Sequence, residues 1–177
     1  MPTHISLLRG INVGGHKKIP MADLKALYES LGFRAVTTYI QSGNVVFDAD
    51  PTDAPTLITR IEAAIAAHFG FDVTVLMRSA DDLQHILDNN PFPGAEAKYL
   101  QVLFLSAAPA PGVAAALNVP VAEGEGWLLA GREIYLHYPD GSGRSKITGA
   151  FFERALGVAG SARNWNSVNA LHELAQR

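Results

Sequence analysis

Two glycine-rich, basic segments carry the residue types that bind phosphate. The first is Arg9-Gly10-Ile11-Asn12-Val13-Gly14-Gly15-His16-Lys17-Lys18-Ile19-Pro20-Met21, where Gly14 and Gly15 let backbone N–H groups converge and Lys17 or Lys18 completes a cradle at a helix start. Arg9 and Asn12 add side-chain donors. The second, Pro139 to Thr148, concentrates Gly141, Gly143, Ser142, Ser145, Arg144 and Lys146 ahead of another helix, and Arg144 is able to grip phosphate bidentately. It is the richer of the two in donors. Neither segment has the spacing G-x-x-x-x-G-K-[ST] or G-x-G-x-x-G, so no particular nucleotide is specified. A third segment, Ser161 to Ser167, sets Arg163, Asn164 and Asn166 around Trp165, a set suited to a base or a sugar, although Asn164 also fits a helix N-cap and Trp165 a core position. Tyr39, Gln41, Ser42 and Asn44 form a weaker polar group.

Charge is unevenly spread. The net value is -3 over 177 residues, yet residues 1 to 22 hold Arg9, Lys17 and Lys18 with no acid, residues 48 to 98 hold nine acids and three bases, and residues 134 to 172 are again basic. Local patches therefore matter more than the total. With no cysteine, thiolate metal sites and Cys nucleophiles are excluded, and a cytoplasmic location is expected. No H-e-x-x-H or G-x-S-x-G pattern occurs, so neither a metal nor a cofactor is expected. No stretch reaches the length of a membrane span.

The elements that position these segments follow from periodicity. Thr3 to Arg9 predicts a strand, and Met21, Leu24, Leu27, Tyr28 and Leu31 predict an amphipathic helix stopped at Gly32. Ala35 to Ile40 and Asn44 to Asp48 predict a hairpin, Pro55 to Phe69 a helix ending at Gly70, and Val73 to Met77 a strand, together βαββαβ. Ser79 and Asp82 form a capping-box pair for a short helix that ends before Asn90-Pro91. After a linker over 91–98 the pattern starts again. Leu100 to Leu105 reads as a strand apolar on both faces, Val113 to Leu117 as a short helix, Trp127 to Leu129 with Ile134 to Tyr138 as a hairpin, and Thr148 to Leu156 as a helix. Ile40 to Phe47 parallels Leu129 to Tyr135. The expectation is an α+β fold of two ferredoxin-like subdomains related by duplication: 1–90, then 99–160 as βαββα, with 161–177 as a C-terminal helix.

Leu7-Leu8-Arg9-Gly10-Ile11-Asn12-Val13-Gly14-Gly15, Lys18-Ile19-Pro20-Met21, Tyr39-Ile40-Gln41-Ser42-Gly43-Asn44 and Ala162-Arg163-Asn164-Trp165-Asn166 together resemble the bacterial domain of unknown function 1697 family. The resemblance spans nearly the whole chain. It implies a cytoplasmic α+β protein of two ferredoxin-like subdomains, and it supplies no activity and no catalytic residue.

The leading functional expectation is binding of a phosphate-bearing small molecule or nucleic acid, by a monomer or weak homodimer away from membranes. One alternative is an enzyme on a small phosphorylated or nucleotide-like substrate, with His16 or Asp140 as acid or base. Another is an interaction module in which the apolar strand of the second half pairs with a partner or a second copy.

Overall fold

Four strands rich in β-branched and apolar residues form the first sheet of the computed structural model, which describes residues 1–177. They are β1 (Thr3–Leu8), β2 (Arg34–Tyr39), β3 (Asn44–Asp48) and β4 (Val75–Ser79), in the order β2-β3-β1-β4 and antiparallel throughout. Helices α1 (Met21–Ser30) and α2 (Ala54–Phe69) cover one face of the sheet, packing Leu24, Tyr28, Leu57, Ile61 and Ile65 against Leu8, Val45, Phe47, Val75 and Met77. That apolar layer is sealed inside by one polar pair, Ser6 Oγ and Tyr28 Oη at 2.7 Å. Burial pushes the Tyr28 phenol up, so the pair stays neutral.

Local chemistry sets the element ends. Asp53 Oδ2 accepts from Thr56 N at 3.1 Å to start α2, and Gly70 closes it at φ 81°. The predicted capping box is formed: Ser79 N donates to Asp82 Oδ2 and Asp82 N to Ser79 Oγ, 2.8 and 3.0 Å, opening α3 (Ala80–Asp88). In the edge strand β2 the register shifts by one residue between Arg34 and Thr37, with Ala35 at φ 49°, which is a β-bulge.

The second sheet uses β5 (Leu100–Leu105), β6 (Gly126–Ala130), β7 (Glu133–His137) and β8 (Gly160–Asn164) in the order β6-β7-β5-β8, again antiparallel. Between them run α4 (Pro111–Ala115) and α5 (Gly149–Leu156), and α6 (Trp165–Ala175) ends the chain. Phe152 and Leu156 of α5 pack on Leu103, Leu105, Ile134 and Leu136. Thr148 Oγ1 caps α5 by accepting from Phe151 N at 3.1 Å. The chain divides into two units, one of residues 1–85 with 170–177 and one of residues 86–169. No helix is long and apolar enough to cross a membrane.

Two expectations are corrected here. Residues 161–164 belong to β8 rather than to the C-terminal helix, because Gln101 to Leu105 of β5 offer an open ladder edge that Gly160 to Asn164 fill. The second half is therefore βαββαβ rather than βαββα. For the same reason β5 is a central strand, hydrogen-bonded to β7 on one side and β8 on the other, and has no edge to lend to a partner.

Candidate functional site

The first glycine-rich segment folds as a miniature hairpin. His16 N donates to Val13 O at 3.0 Å and Asn12 N to Lys17 O at 3.1 Å, with Gly14 and Gly15 at φ 58° and 77° in between. Positive φ at both central residues is what a two-residue hairpin turn demands. The glycines thus close a turn, in place of the phosphate nest expected of them. Asn12 and Lys17 flank it with positive φ of 55° and 47°.

Asn12, expected to contact a ligand, holds the chain to itself. Its Nδ2 donates to Ile19 O at 3.0 Å and to Gln41 O at 2.8 Å, while its Oδ1 accepts from Ile19 N at 2.8 Å. One side chain so joins the loop, the approach to α1 and the turn of the β2–β3 hairpin. That turn sits tightly on the sheet: a Cβ on Gly43, at φ 84°, would lie 2.7 Å from Leu8 Cβ and 2.8 Å from Ile11 Cδ1. Asn44 is buried and donates to Tyr39 O and Ser42 Oγ at 2.9 and 2.8 Å, so its amide is structural too. Ile40, a β-branched residue, is held at φ 49° with its side chain 51% exposed, and Val13 at the hairpin tip is 64% exposed. A β-branched residue at positive φ marks local strain in the turn that joins β2 and β3.

Between the miniature hairpin and the β2–β3 turn lies a cleft of about 400 Å³ lined by Asn12, Gly15, Lys18, Ile19, Pro20 and Gln41. Lys18 is its cation. Pro20 occupies the N-cap of α1 and has no side-chain acceptor, so the ten-residue helix begins without a side-chain cap. A helix start of that kind favours negative charge.

Arg9 and Lys17 point elsewhere in chemical terms. With Glu62, Asp72, Val73 and Thr74 they line a neighbouring cleft of about 310 Å³, where Lys17 Nζ donates to Asp72 O at 2.8 Å. Two cations meet two carboxylates there. The acid-free character of residues 1 to 22 is undone by the fold, since α2 and the loop leading into β4 bring Glu62 and Asp72 from the negative middle of the chain beside them. Arg9 and Lys17 are not the surplus of positive charge that the sequence promised, and of the first segment's cations Lys18 is the one in the α1 cleft.

In the second unit, the segment 139–148 is a ladder of small turns. Gly141 N donates to Tyr138 O at 2.9 Å, Ser145 N to Ser142 O at 3.2 Å, and Ile147 N to Ser145 Oγ at 3.2 Å. The Ser145 hydroxyl therefore serves the backbone. Tyr138 Oη donates to Ile147 O at 2.6 Å and anchors the far end, and burial raises its phenol to about 12. Gly143, Arg144 and Lys146 are exposed.

The third segment departs most from expectation. Arg163 is 6% exposed, in the middle of β8 opposite Val102, and donates to Ser161 Oγ and Ala162 O at 2.7 and 2.9 Å. Desolvation brings its guanidinium down to about 10. It is a sheet residue, not a surface clamp. Asn164 Oδ1 accepts from Ser167 N at 2.8 Å and caps α6 as anticipated. Asn166 is exposed, and Trp165 is half-buried, 6.4 Å from the Tyr135 ring.

Sequence reasoning missed a further concavity in the second unit, formed where Phe92 of the supposed linker and Tyr99 just after it meet His137. Its signal was two aromatic residues in a stretch otherwise rich in Pro, Gly and Ala.

Among solved structures, a conserved bacterial protein from Streptococcus pneumoniae is similar over 98% of each chain at 23% identity, with a TM-score of 0.75. At that identity the likeness shows the mixed α+β fold. No curated protein matches the chain significantly. The model of the family described as Protein of unknown function (DUF1697) matches residues 1–135, which include the miniature hairpin, the Asn12 clamp and the β2–β3 turn, and the chain belongs to that family.

Proposed function

We propose that this protein binds a phosphate-bearing ligand in the cleft between the miniature hairpin and the β2–β3 turn. One observation carries the proposal: Lys18 and the start of α1, which has no side-chain cap and carries Asp23 in its first turn, share the walls of a single cleft of about 400 Å³. Asn12 supports it by holding both walls in place before any ligand arrives, which lowers the ordering cost of binding. Arg144 and Lys146, exposed at the head of α5, offer a second anion contact within the other unit. A cytoplasmic setting accords with a chain free of cysteine.

The proposal extends to ancestry. The two units share the element string βαββαβ and corresponding strand orders, β2-β3-β1-β4 and β6-β7-β5-β8. Each also buries an arginine at the same place in its ladder, Arg78 of β4 opposite Ile5 and Arg163 of β8 opposite Val102. These correspondences support a duplicated ferredoxin-like unit.

Titrating pyrophosphate, a nucleoside triphosphate and a short oligonucleotide into the ¹⁵N-labelled chain tests the binding reading. The amides of Gly15, Lys18 and Met21 should shift, and Lys18→Ala should weaken binding by about fivefold, one exposed charged contact being worth about 1 kcal/mol. Added salt should weaken it further. If those amides stay still, or only Arg144→Ala and Lys146→Ala affect binding, the α1 cleft is not the site.

A further inference from the structure

Residues 90–99 build a wall instead of a loose connection. Phe92 N donates to Asn90 Oδ1 at 2.8 Å and Ala95 N to Phe92 O at 2.9 Å, so the Pro-Gly stretch is a fixed turn. The Phe92 ring lies so close over the Gly126 backbone that a Cβ there would meet it at 2.5 Å. On β7, the His137 imidazole stands 5.5 Å from the Phe92 ring with 32° between their planes. Tyr99 and Pro139 complete a cleft of about 420 Å³ that also takes in Glu96. Every one of these residues belongs to the second unit.

We infer that this cleft binds a flat nitrogen heterocycle of the nucleobase class, a site separate from the phosphate cleft of the first unit and argued independently of it. Phe92, Tyr99 and His137 are each half-buried, leaving ring surface open to the cavity where a planar guest can stack. Glu96 supplies the polar group of the cleft. Beside the Lys98 ammonium, its carboxylate can accept hydrogen bonds from exocyclic amino and ring N–H groups, the donors a nucleobase carries on its edge. Lys98 lies 4.9 Å over the Tyr99 ring and 3.7 Å from Glu96, holding the carboxylate and the ring on the same side. The volume lies in the range of small-molecule sites.

Uncharged nucleosides test this without touching the phosphate proposal, because they carry no phosphate and the Lys18 cleft is scored separately with pyrophosphate. Guanosine, cytidine, adenosine and uridine are titrated into the full chain and followed by saturation-transfer NMR and by the amides of Phe92, Tyr99 and His137. Binding of the amino-bearing nucleosides is expected, weakened about tenfold or more by Phe92→Leu, since stacking on one aromatic ring is worth about that much. Glu96→Gln, at an exposed position that the fold does not depend on, should reduce the preference for guanosine and cytidine over uridine. The inference is overturned if no nucleoside binds at millimolar concentration, if choline binds and nucleosides do not, or if Glu96→Gln and Phe92→Leu both leave affinity unchanged in a folded chain.

Discussion

Replacing Asn12 by alanine removes three hydrogen bonds at once: two donated to Ile19 O and Gln41 O and one accepted from Ile19 N, all between 2.8 and 3.0 Å. A typical intramolecular hydrogen bond contributes about 1 kcal/mol net, and water can re-solvate the more exposed Gln41 carbonyl, so the lost bonds amount to about 2 kcal/mol. Alanine must also hold φ near 55°, a region asparagine tolerates better, which adds about 1 kcal/mol. The expected destabilisation of the first unit is therefore about 3 kcal/mol, a large fraction of the stability of a small unit. Asn12→Gly loses the same bonds without the backbone strain, but its looser unfolded chain returns part of that advantage, so it should fall slightly nearer the native protein. Both tryptophans, Trp127 and Trp165, lie in the second unit, so their fluorescence is the wrong probe. Urea denaturation followed by far-UV circular dichroism, with hydrogen exchange at the Ile19 amide as the local readout, addresses the right part of the molecule. If Ile19 exchange is unchanged and the denaturation midpoint moves by less than about 0.5 kcal/mol equivalent, the level of an ordinary surface change, Asn12 does not hold the loop and the preformed cleft loses its basis.

Gly43→Ala forces a Cβ to within 2.8 Å of both Leu8 and Ile11 at φ 84°, and overpacking together with left-handed strain should cost about 2–4 kcal/mol in a thermal or urea melt; a neutral result would mean that the turn shifts freely. The His4 imidazole has a buried Nε2 without a hydrogen-bond partner and lies 5.5 Å from Phe47; burial holds its pKa below the ordinary 6.5, with nearby Asp48 opposing. The unfolded chain therefore takes up the proton first, so this contribution is flat above about pH 6.5 and stability falls as pH drops below it; His4→Gln should flatten that slope, and an unchanged slope would assign it to other groups.

Features set by neighbours in sequence were legible. The Ser79–Asp82 box and the Asn164 cap of α6 each need only residues three apart, and both are formed. The long-range features were not. Gly160 to Asn164 has the composition of a turn and becomes a strand because β5 offers it a ladder edge, so tertiary context overrides propensity. Arg163 looked like a surface cation for the same reason. Gly14-Gly15 suits either an anion nest or a two-residue hairpin turn, and the choice is made by hydrogen bonds between Asn12 and Lys17 on either side. Charge misled where Glu62 and Asp72, far along the chain, fold next to Arg9 and Lys17. Asn12 offers the same donors to a ligand as to the backbone, and only the positions of Ile19 and Gln41 distinguish the two.

Strands β1 and β5 are the first strand of each half in sequence and also one of the two inner strands of each sheet. On the ribosome each emerges with both ladder edges unmet, and the first sheet closes only when Val75 to Ser79 has been synthesised and pairs with His4 to Leu8. Until then Ile5, Leu7 and Leu8, all fully buried at the end, stand on an open edge that another nascent copy could extend. The order of synthesis thus leaves one edge of β1 unpaired for as long as the stretch up to Ser79 takes to be made. Truncated products that stop short of Ser79 should be the aggregating ones, and the wait for β4 should limit how fast this half can fold.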